Sequence, residues 1–504
     1  MSYLLGLDIG TSGAKALVAD SAGRVLASAT AEYPLSQPRP LWSEQDPADW
    51  WRGAKAALRT ALAQSGVRGE AIVGLGLTGQ MHGATFLDAA DQVLRPAMLW
   101  NDQRTAAECA EITERVGAAR LIEITGNPAL TGFQAPKLLW LRNNEPEQYA
   151  RLAHLLLPKD YIRLLLTGEH ATDASDAAGT LFLDLRARDY SAELLAALDV
   201  PRAWLPRVYE GPEVTGRLRP DVAAELGLPA GLAVVAGGGD NAAAAVGTGV
   251  TRAGVVSSSI GTSGVLFAHS DAPALDPQGR LHGFCHAVPG AYHLMAVTLS
   301  AGGAFQWLRN MLRLIAPDLS YEQLVGLAAS VPPGAEGLLF APYLTGERTP
   351  HLDPLARGAW VGLTSRHGLG HLTRALLEGV VFALRDGLEL MRGLGVPVDE
   401  IRATGGGGKH ALWLQLQAEI YGTAVQTLAA EEGPAYGAAL LAGVGSGVYA
   451  NVAEAVAQTV RVTGATEPDH EHVQRYNELY AAYTGLYPAL RASAHTLAGL
   501  AGEG

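Results

Sequence analysis

The chain has 504 residues, 37 basic and 50 acidic side chains and a net charge of −13 at pH 7. Its length predicts more than one domain, and 48% hydrophobic against 17% charged residues can bury large cores, which excludes wholesale disorder. A negative balance argues against a general nucleic-acid or anionic-membrane binder, because both need a basic field.

Two cysteines, Cys109 and Cys285, are too few for a disulfide framework or a cysteine-based zinc site, and are expected as buried thiols in a reducing compartment. The stretch from Met1 to Asp8 has no basic leader or long apolar segment, and no run of about 18 apolar residues occurs anywhere. The expectation is a soluble, cytoplasmic protein with no membrane or nucleic-acid partner.

In chain order, Leu4 to Ile9 and Ala16 to Ala19 read as strands around the turn Gly10-Thr11-Ser12-Gly13. Asp46-Pro47 opens a helix, with Asp46 as N-cap and Pro47 at its first position. Val73 to Leu77 is a buried strand ending at Gln80-Met81-His82-Gly83, and Trp100-Asn101-Asp102-Gln103-Arg104 precedes a helix. Ala233 to Val235 leads into Gly237-Gly238-Gly239-Asp240 and the helix from Asn241 to Val246. Further on, strands Val255 to Ile260 and Val265 to Ala268 flank Gly261-Thr262-Ser263-Gly264. Strand Ile401 to Thr404 runs into Gly405 to Gly408, and long helices cover Leu369 to Arg392 and Ala411 to Tyr421. This alternation is that of an α/β protein.

Ile9-Gly10-Thr11-Ser12-Gly13 recurs letter for letter as Ile260-Gly261-Thr262-Ser263-Gly264, each copy between two strands. Duplication explains the shared context better than chance. The boundary is expected near residue 250, giving a first domain of 1–248 and a second of 249–504, with the last helices packing back on the first.

A carboxylate at a strand's end followed by glycines and hydroxyls lets a backbone approach a phosphate closely, so Asp8 and Gly10-Thr11-Ser12 are candidates for phosphate contact; a plain hairpin turn is the alternative. The turn lacks the Gly-Lys-Ser/Thr of a Walker A loop and the helix-opening dinucleotide fingerprint. Asp240 could be a simple N-cap, but a cap does not need three preceding glycines, which favours a functional aspartate. Gly261-Thr262 offers a second phosphate-facing turn, and the strand–glycine–helix stretch at Gly405 to Gly408 suits an adenine or phosphate. His82 on its turn, and Asp102 with Arg104, suit a polyhydroxylated ligand, or are solvated and capping groups. No histidines, cysteines or carboxylates stand at metal-ligand spacing.

Together these motifs resemble the sugar-kinase family that includes glycerol kinase, gluconokinase, ribulokinase and xylulokinase. Gly132-Phe133-Gln134-Ala135-Pro136-Lys137-Leu138-Leu139-Trp140-Leu141 resembles one signature of that family. Gly358-Ala359-Trp360-Val361-Gly362-Leu363, with His371-Leu372 and Glu378, resembles the other, and Gln80-Met81-His82-Gly83 points to the xylulokinase branch. Gln134 departs from the small or hydroxyl residue usual there and is expected as a tolerated surface change. The resemblance implies two actin-like, ribonuclease-H-like domains around a central nucleotide and sugar cleft. It also implies ATP-dependent phosphorylation of D-xylulose, with ribulose, glycerol or gluconate as alternative acceptors. An actin-like chaperone or filament ATPase is the rival from another class.

The resemblance assigns Asp240 as proton acceptor and Asp8 as the carboxylate near Mg2+, through water. It assigns Met81, His82, Asp102, Arg104, Asp240 and Asn241 to the sugar. To ATP it assigns Gly10, Thr11, Ser12, Lys15, Gly261, Thr262, Gly302, Gln306, Gly406, Gly407 and His410, the last standing where glycerol kinase has an asparagine. It leaves a homodimer open.

Overall fold

The computed structural model describes residues 2–429 and 432–501. In the first half, β1 (Tyr3–Ile9), β2 (Gly13–Asp20) and β3 (Val25–Glu32) form an antiparallel meander. The helix α1 (Pro47–Ser65) follows, with the Asp46 side chain accepting from the Ala48 N–H and Pro47 in the first turn. After it come β4 (Ile72–Gly79), α2 (Pro158–Thr167), β5 (Val214–Arg217), β6 (Ala233–Gly239) and α3 (Asp240–Thr248). The sheet order is β5-β6-β4-β1-β2-β3, with β1, β4 and β6 parallel.

The second half repeats this plan. β7 (Gly254–Ile260), β8 (Gly264–Ser270), β9 (His282–Cys285) and β10 (Tyr292–Thr298) pair antiparallel among themselves. They are followed by α4 (Gly302–Leu312), α5 (Leu369–Gly393), β11 (Val398–Gly405), α6 (Ala411–Tyr421) and β12 (Val425–Leu428). The chain ends with α7 (Pro434–Gly445), β13 (Val462–Thr466), α8 (His470–Tyr483) and α9 (Leu486–Leu500). The order β9-β10-β8-β7-β11-β12-β13 keeps β7, β11 and β12 parallel, as β1, β4 and β6 are. Both copies of the repeated turn close a hairpin, by Gly10 N–H to the Gly13 carbonyl at 3.1 Å and Gly261 N–H to the Ser263 carbonyl at 3.0 Å.

The halves are tied by α7, whose small apolar residues share a core with Leu4, Leu17, Val235 and Val246 of the first half. Its backbone lies almost on the sheet: a Cβ at Gly76 would stand 1.9 Å from the Ala438 carbonyl oxygen, and one at Gly437 1.7 Å from that of Ala243. Any larger residue would push α7 away, because packed backbones cannot yield that far. The expected return of the last helices therefore needs correction. It is α7 that crosses to the first sheet, whereas Tyr476, Leu479 and Tyr483 of α8 and Leu486 of α9 sit in the core of the second. No helix among the described residues is long and apolar enough to cross a membrane.

Candidate active site

Loops that leave the carboxyl ends of parallel strands are not covered by further strand, so ligands collect there. In the first half those ends carry Asp8, the Gln80-Met81-His82 turn and Asp240. The close approach of β6 to β4 needs Gly237, at φ +78 and with its missing Cβ only 1.7 Å from the Leu77 carbonyl oxygen. Beneath this edge the buried Arg163 guanidinium donates to the carbonyls of Val235 at 2.7 Å and Ala236 at 2.5 Å, fixing the strand that leads to Asp240.

Gly239, not Asp240, holds the N-cap position of α3. Asp240 Oδ1 instead accepts from the Asn241 N–H at 2.7 Å and the Asn241 Nδ2 at 3.0 Å. The carboxylate borders a cavity of about 220 Å³ that it shares with Met81, His82, Asn241, His282 and Arg348. Burial pushes its pKa up to about 6, against the hydrogen bonds from Asn241. Asp8 is pushed up to about 7 by burial first and then by the charge of Asp240, with Lys15 pulling it down. Its Oδ1 is buried with no hydrogen-bond donor among the described residues, an orphaned acceptor that fits a cation.

His82 has φ +67, a left-handed backbone that costs about 1–2 kcal/mol for a residue with a Cβ. Two contacts hold it there. Its Nδ1 lies 2.7 Å from the Gly179 carbonyl oxygen. The buried Lys137 ammonium donates to the His82 carbonyl at 2.8 Å and to the Gly132 carbonyl at 2.5 Å. A carbonyl partner requires the proton on Nδ1, and burial pushes the pKa down to about 3, so the ring is neutral with Nε2 left as an acceptor. His282 is arranged in the same way: Nδ1 lies 2.8 Å from Asn127 Oδ1, and burial holds the ring well below the usual histidine range. The Arg348 guanidinium meets no acceptor among the described residues. The cavity thus offers a free cation, two imidazole acceptors and a carboxylate with a raised pKa, spaced around a small polar ligand.

A second cavity, of about 390 Å³, lies at the carboxyl ends of β7 and β11. Gly261, Thr262, Gly302, Gln306, Gly406, Gly407 and His410, which the resemblance assigns to ATP, all line it. His410 is also the N-cap of α6, its Nδ1 accepting from the Leu412 N–H at 3.2 Å. The wall adds Phe305, Tyr321 and Trp413, with the Phe305 and Tyr321 rings 5.1 Å apart. An apolar aromatic wall beside a glycine floor suits a flat base attached to phosphates.

Other expectations are corrected by the packing. Asp102 and Arg104 do not reach the sugar-sized cavity. Arg104 is buried, pairs with Asp102 at 2.5 Å and Glu44 at 2.7 Å, and stacks 3.4 Å above the Trp42 ring. Asp102 also accepts from the Ser43 N–H at 2.7 Å, so the pair braces the loop instead of offering free groups. Lys15 is bound to Glu432 at 3.0 Å, tying β2 to the segment before α7, and does not line the nucleotide-sized cavity. Nor do Gly10, Thr11 and Ser12. That turn is braced from within: Thr11 Oγ1 donates to Gln80 at 3.2 Å and accepts from Trp100 Nε1 at 3.0 Å, while Gln45 Nε2 donates to the Thr11 carbonyl at 2.7 Å. Gln134 is no surface change; it is buried, and its Nε2 donates to the carbonyls of Gly83 at 2.9 Å and Leu156 at 3.2 Å. Cys285 is buried, but Cys109 is only half-buried.

Around the first cavity, Trp100, Phe133 and Ser263 come from quoted motifs that gave them no role of their own, and the residues outside every motif are His282 and Arg348. Only Arg348, inside the polar run Gly346-Glu347-Arg348-Thr349-Pro350, had a local signal that could have been noticed.

Two ribonuclease-H-like halves, with cavities at the carboxyl ends of their parallel strands, define an actin-like kinase of small molecules. Residues 3–247 match the N-terminal domain, and residues 256–446 the C-terminal domain, of the FGGY family of carbohydrate kinases, and the chain belongs to that family. It is 42% identical to the xylulose kinase of Escherichia coli, over 96% of this chain and 99% of the relative. The crystal structure of xylulose kinase from Rhodospirillum rubrum superposes with a TM-score of 0.91 at 34% identity, covering 98% of this chain and all of that one. Gluconate kinase from Lactobacillus acidophilus superposes with a TM-score of 0.93 at 28% identity, covering 98% and 99%.

Proposed function

We propose that this chain transfers the γ-phosphoryl group of ATP to the 5-hydroxyl of D-xylulose. The observation that carries the reading is Asp240: a carboxylate with its pKa at about 6, at the edge of a sugar-sized cavity, in a chain with xylulose kinase relatives. Phosphoryl transfer has a loose transition state, so positioning and charge neutralisation dominate. The sugar 5-oxygen forms the new bond to phosphorus, the bond to ADP breaks, and the hydroxyl proton passes to Asp240. Asn241 keeps that carboxylate aimed by two hydrogen bonds. The neutral Nε2 atoms of His82 and His282 accept from sugar hydroxyls, and Arg348 donates to the sugar's oxygens.

The nucleotide belongs in the cavity of Thr262, Gln306 and Gly406, with its base toward Tyr321 and Trp413. Gly10-Thr11-Ser12 faces the phosphates when the cleft closes. Asp8, with its orphaned Oδ1, is the residue that would hold Mg2+, which neutralises phosphate charge when bound. A cytoplasmic location, supported by the two free cysteines, belongs to the same reading, as does a homodimer by analogy with the family.

One observation favours a second reading. The unpaired Arg348 would suit an acceptor with a carboxylate, such as gluconate, and the gluconate kinase superposes as well as the xylulose kinase does. The deciding experiment is an ADP-coupled assay with D-xylulose, D-ribulose, L-ribulose, glycerol and gluconate. D-xylulose should give the highest kcat/KM; a higher value with gluconate would install the second reading. No stimulation of ATP turnover by any of the five would favour an ATPase without a small-molecule acceptor.

A further inference from the structure

Away from both cavities, three segments bring Asp91, His154 and His170 together. Asp91 lies on the turn after the short strand Thr85–Leu87, His154 opens the strand Leu87 pairs with, and His170 follows α2. His170 Nε2 is 2.8 Å from Asp91 Oδ1, and His154 Nε2 is 4.0 Å from the same oxygen. The two imidazoles stack with centroids 4.2 Å apart and planes 28° apart. All three ligand atoms fall within 4.8 Å of one another.

Two stacked histidines aimed at one carboxylate oxygen are poorly explained by hydrogen bonding, since the carboxylate bonds one ring and the second gains no bond. We infer that Asp91, His154 and His170 form a binding site for a divalent transition-metal ion of the zinc type. Zinc bonds of about 2.0–2.1 Å in a tetrahedral arrangement put neighbouring ligand atoms roughly 3.3 Å apart. The observed 2.8 and 4.0 Å from Asp91 Oδ1 to the two rings straddle that spacing, so shifts of roughly 0.5–0.7 Å bring each ring nitrogen to it relative to the carboxylate. Side-chain exposures of 29%, 29% and 40% leave an entry path and room for a water as fourth ligand. The donor set selects the ion: two imidazole nitrogens suit zinc, cobalt or nickel and are poor ligands for magnesium, which prefers oxygen.

The site is partly preorganised. Asp91 sits at φ +58 in a turn where Asp88 Oδ1 accepts from the N–H groups of Ala90 at 2.9 Å and Gln92 at 3.0 Å. A bound ion would clip the segments on either side of α2, the helix whose Arg163 holds the strand before Asp240. Its role is therefore structural, and chemistry at Asp240 does not depend on it.

The test is calorimetric titration of the untagged full chain with Zn2+, with visible absorption of Co2+ as the coordination probe. One Zn2+ should bind per chain, at least about tenfold more weakly in His154→Ala and in His170→Ala. Millimolar Mg2+ should not compete, and Zn2+ should raise the melting temperature of the wild type but not of the variants. Without Zn2+, the variants should match the wild type in sugar-kinase activity with Mg-ATP, which verifies their folding. Asp91→Asn serves as a second check should a histidine variant misfold, and should also weaken Zn2+. Equal Zn2+ affinity in wild type and folded variants, or Mg2+ displacing the ion, would overturn the inference and leave a plain Asp–His hydrogen bond beside a second ring.

Discussion

In Asp240→Asn the side chain keeps its shape and its Oδ1, so the bonds from the Asn241 N–H at 2.7 Å and Nδ2 at 3.0 Å survive while the charge is lost. Burial raises the Asp240 pKa from 3.8 to about 6. At about 1.4 kcal/mol per unit, the ionised carboxylate weakens the fold by roughly 3 kcal/mol. That is an upper figure, because the group borders a cavity open to solvent. A carboxylate raised on folding holds its proton better in the native state. Its penalty grows as pH rises from about 3.8 to about 6 and is constant above; about a third of it is present at pH 4.5. Asparagine carries none of it. The variant should therefore melt above the wild type at pH 7.5, by about 2–4 °C for each kcal/mol relieved in a half of this size, and by clearly less at pH 4.5. Asp8, which feels the Asp240 charge, adds a shift of the same sign. In the ADP-coupled assay the same variant should lose about 10²–10⁴ in turnover with little change in the KM for ATP. Near-wild-type turnover would refute the role of Asp240, and an equal melting gain at both pH values would refute the electrostatic argument.

At saturating Mg-ATP, kcat/KM for D-xylulose should fall about tenfold per unit below pH 6, because Asp240 must be ionised to take the proton; a profile flat to pH 5 would exclude it as the base. Arg104→Ala should act on stability, not on sugar recognition. It strips a buried guanidinium from Asp102 and Glu44 and should lower stability by about 3–5 kcal/mol in denaturant melts, while the folded fraction keeps its KM for sugar. A large KM change at unchanged stability would return Arg104 to the sugar site.

The sequence by itself determined the layered α/β plan and the glycine-marked strand ends, because hydrophobic period and turn chemistry are local. The helix from Ala411 to Tyr421 and the N-cap at Asp46 are set within a few residues of themselves, and both stand where the pattern put them. The repeated Ile-Gly-Thr-Ser-Gly likewise anticipated two hairpins in equivalent places of two sheets. Asp240 was singled out because three glycines before a helix have no use in capping alone, and the glycines that mark strand ends in the second half line one cavity there.

Tertiary structure decided which polar residues are free. Asp102 and Arg104 have the composition of a sugar site, but their charges are consumed by each other and by Glu44, a partner far away in the chain. His282 and Arg348 reach the cavity only because the second half folds over the first; nothing beside His282 says so, and the polar run around Arg348 does not tell where its side chain ends. Gln134 became a buried brace through carbonyls of Gly83 and Leu156. Asp91, His154 and His170 show no metal-ligand spacing along the chain, and converge through one strand pair and the return of α2. Local pattern reports the elements, whereas a polar side chain's role depends on whether a distant partner satisfies it, and burial makes that decision.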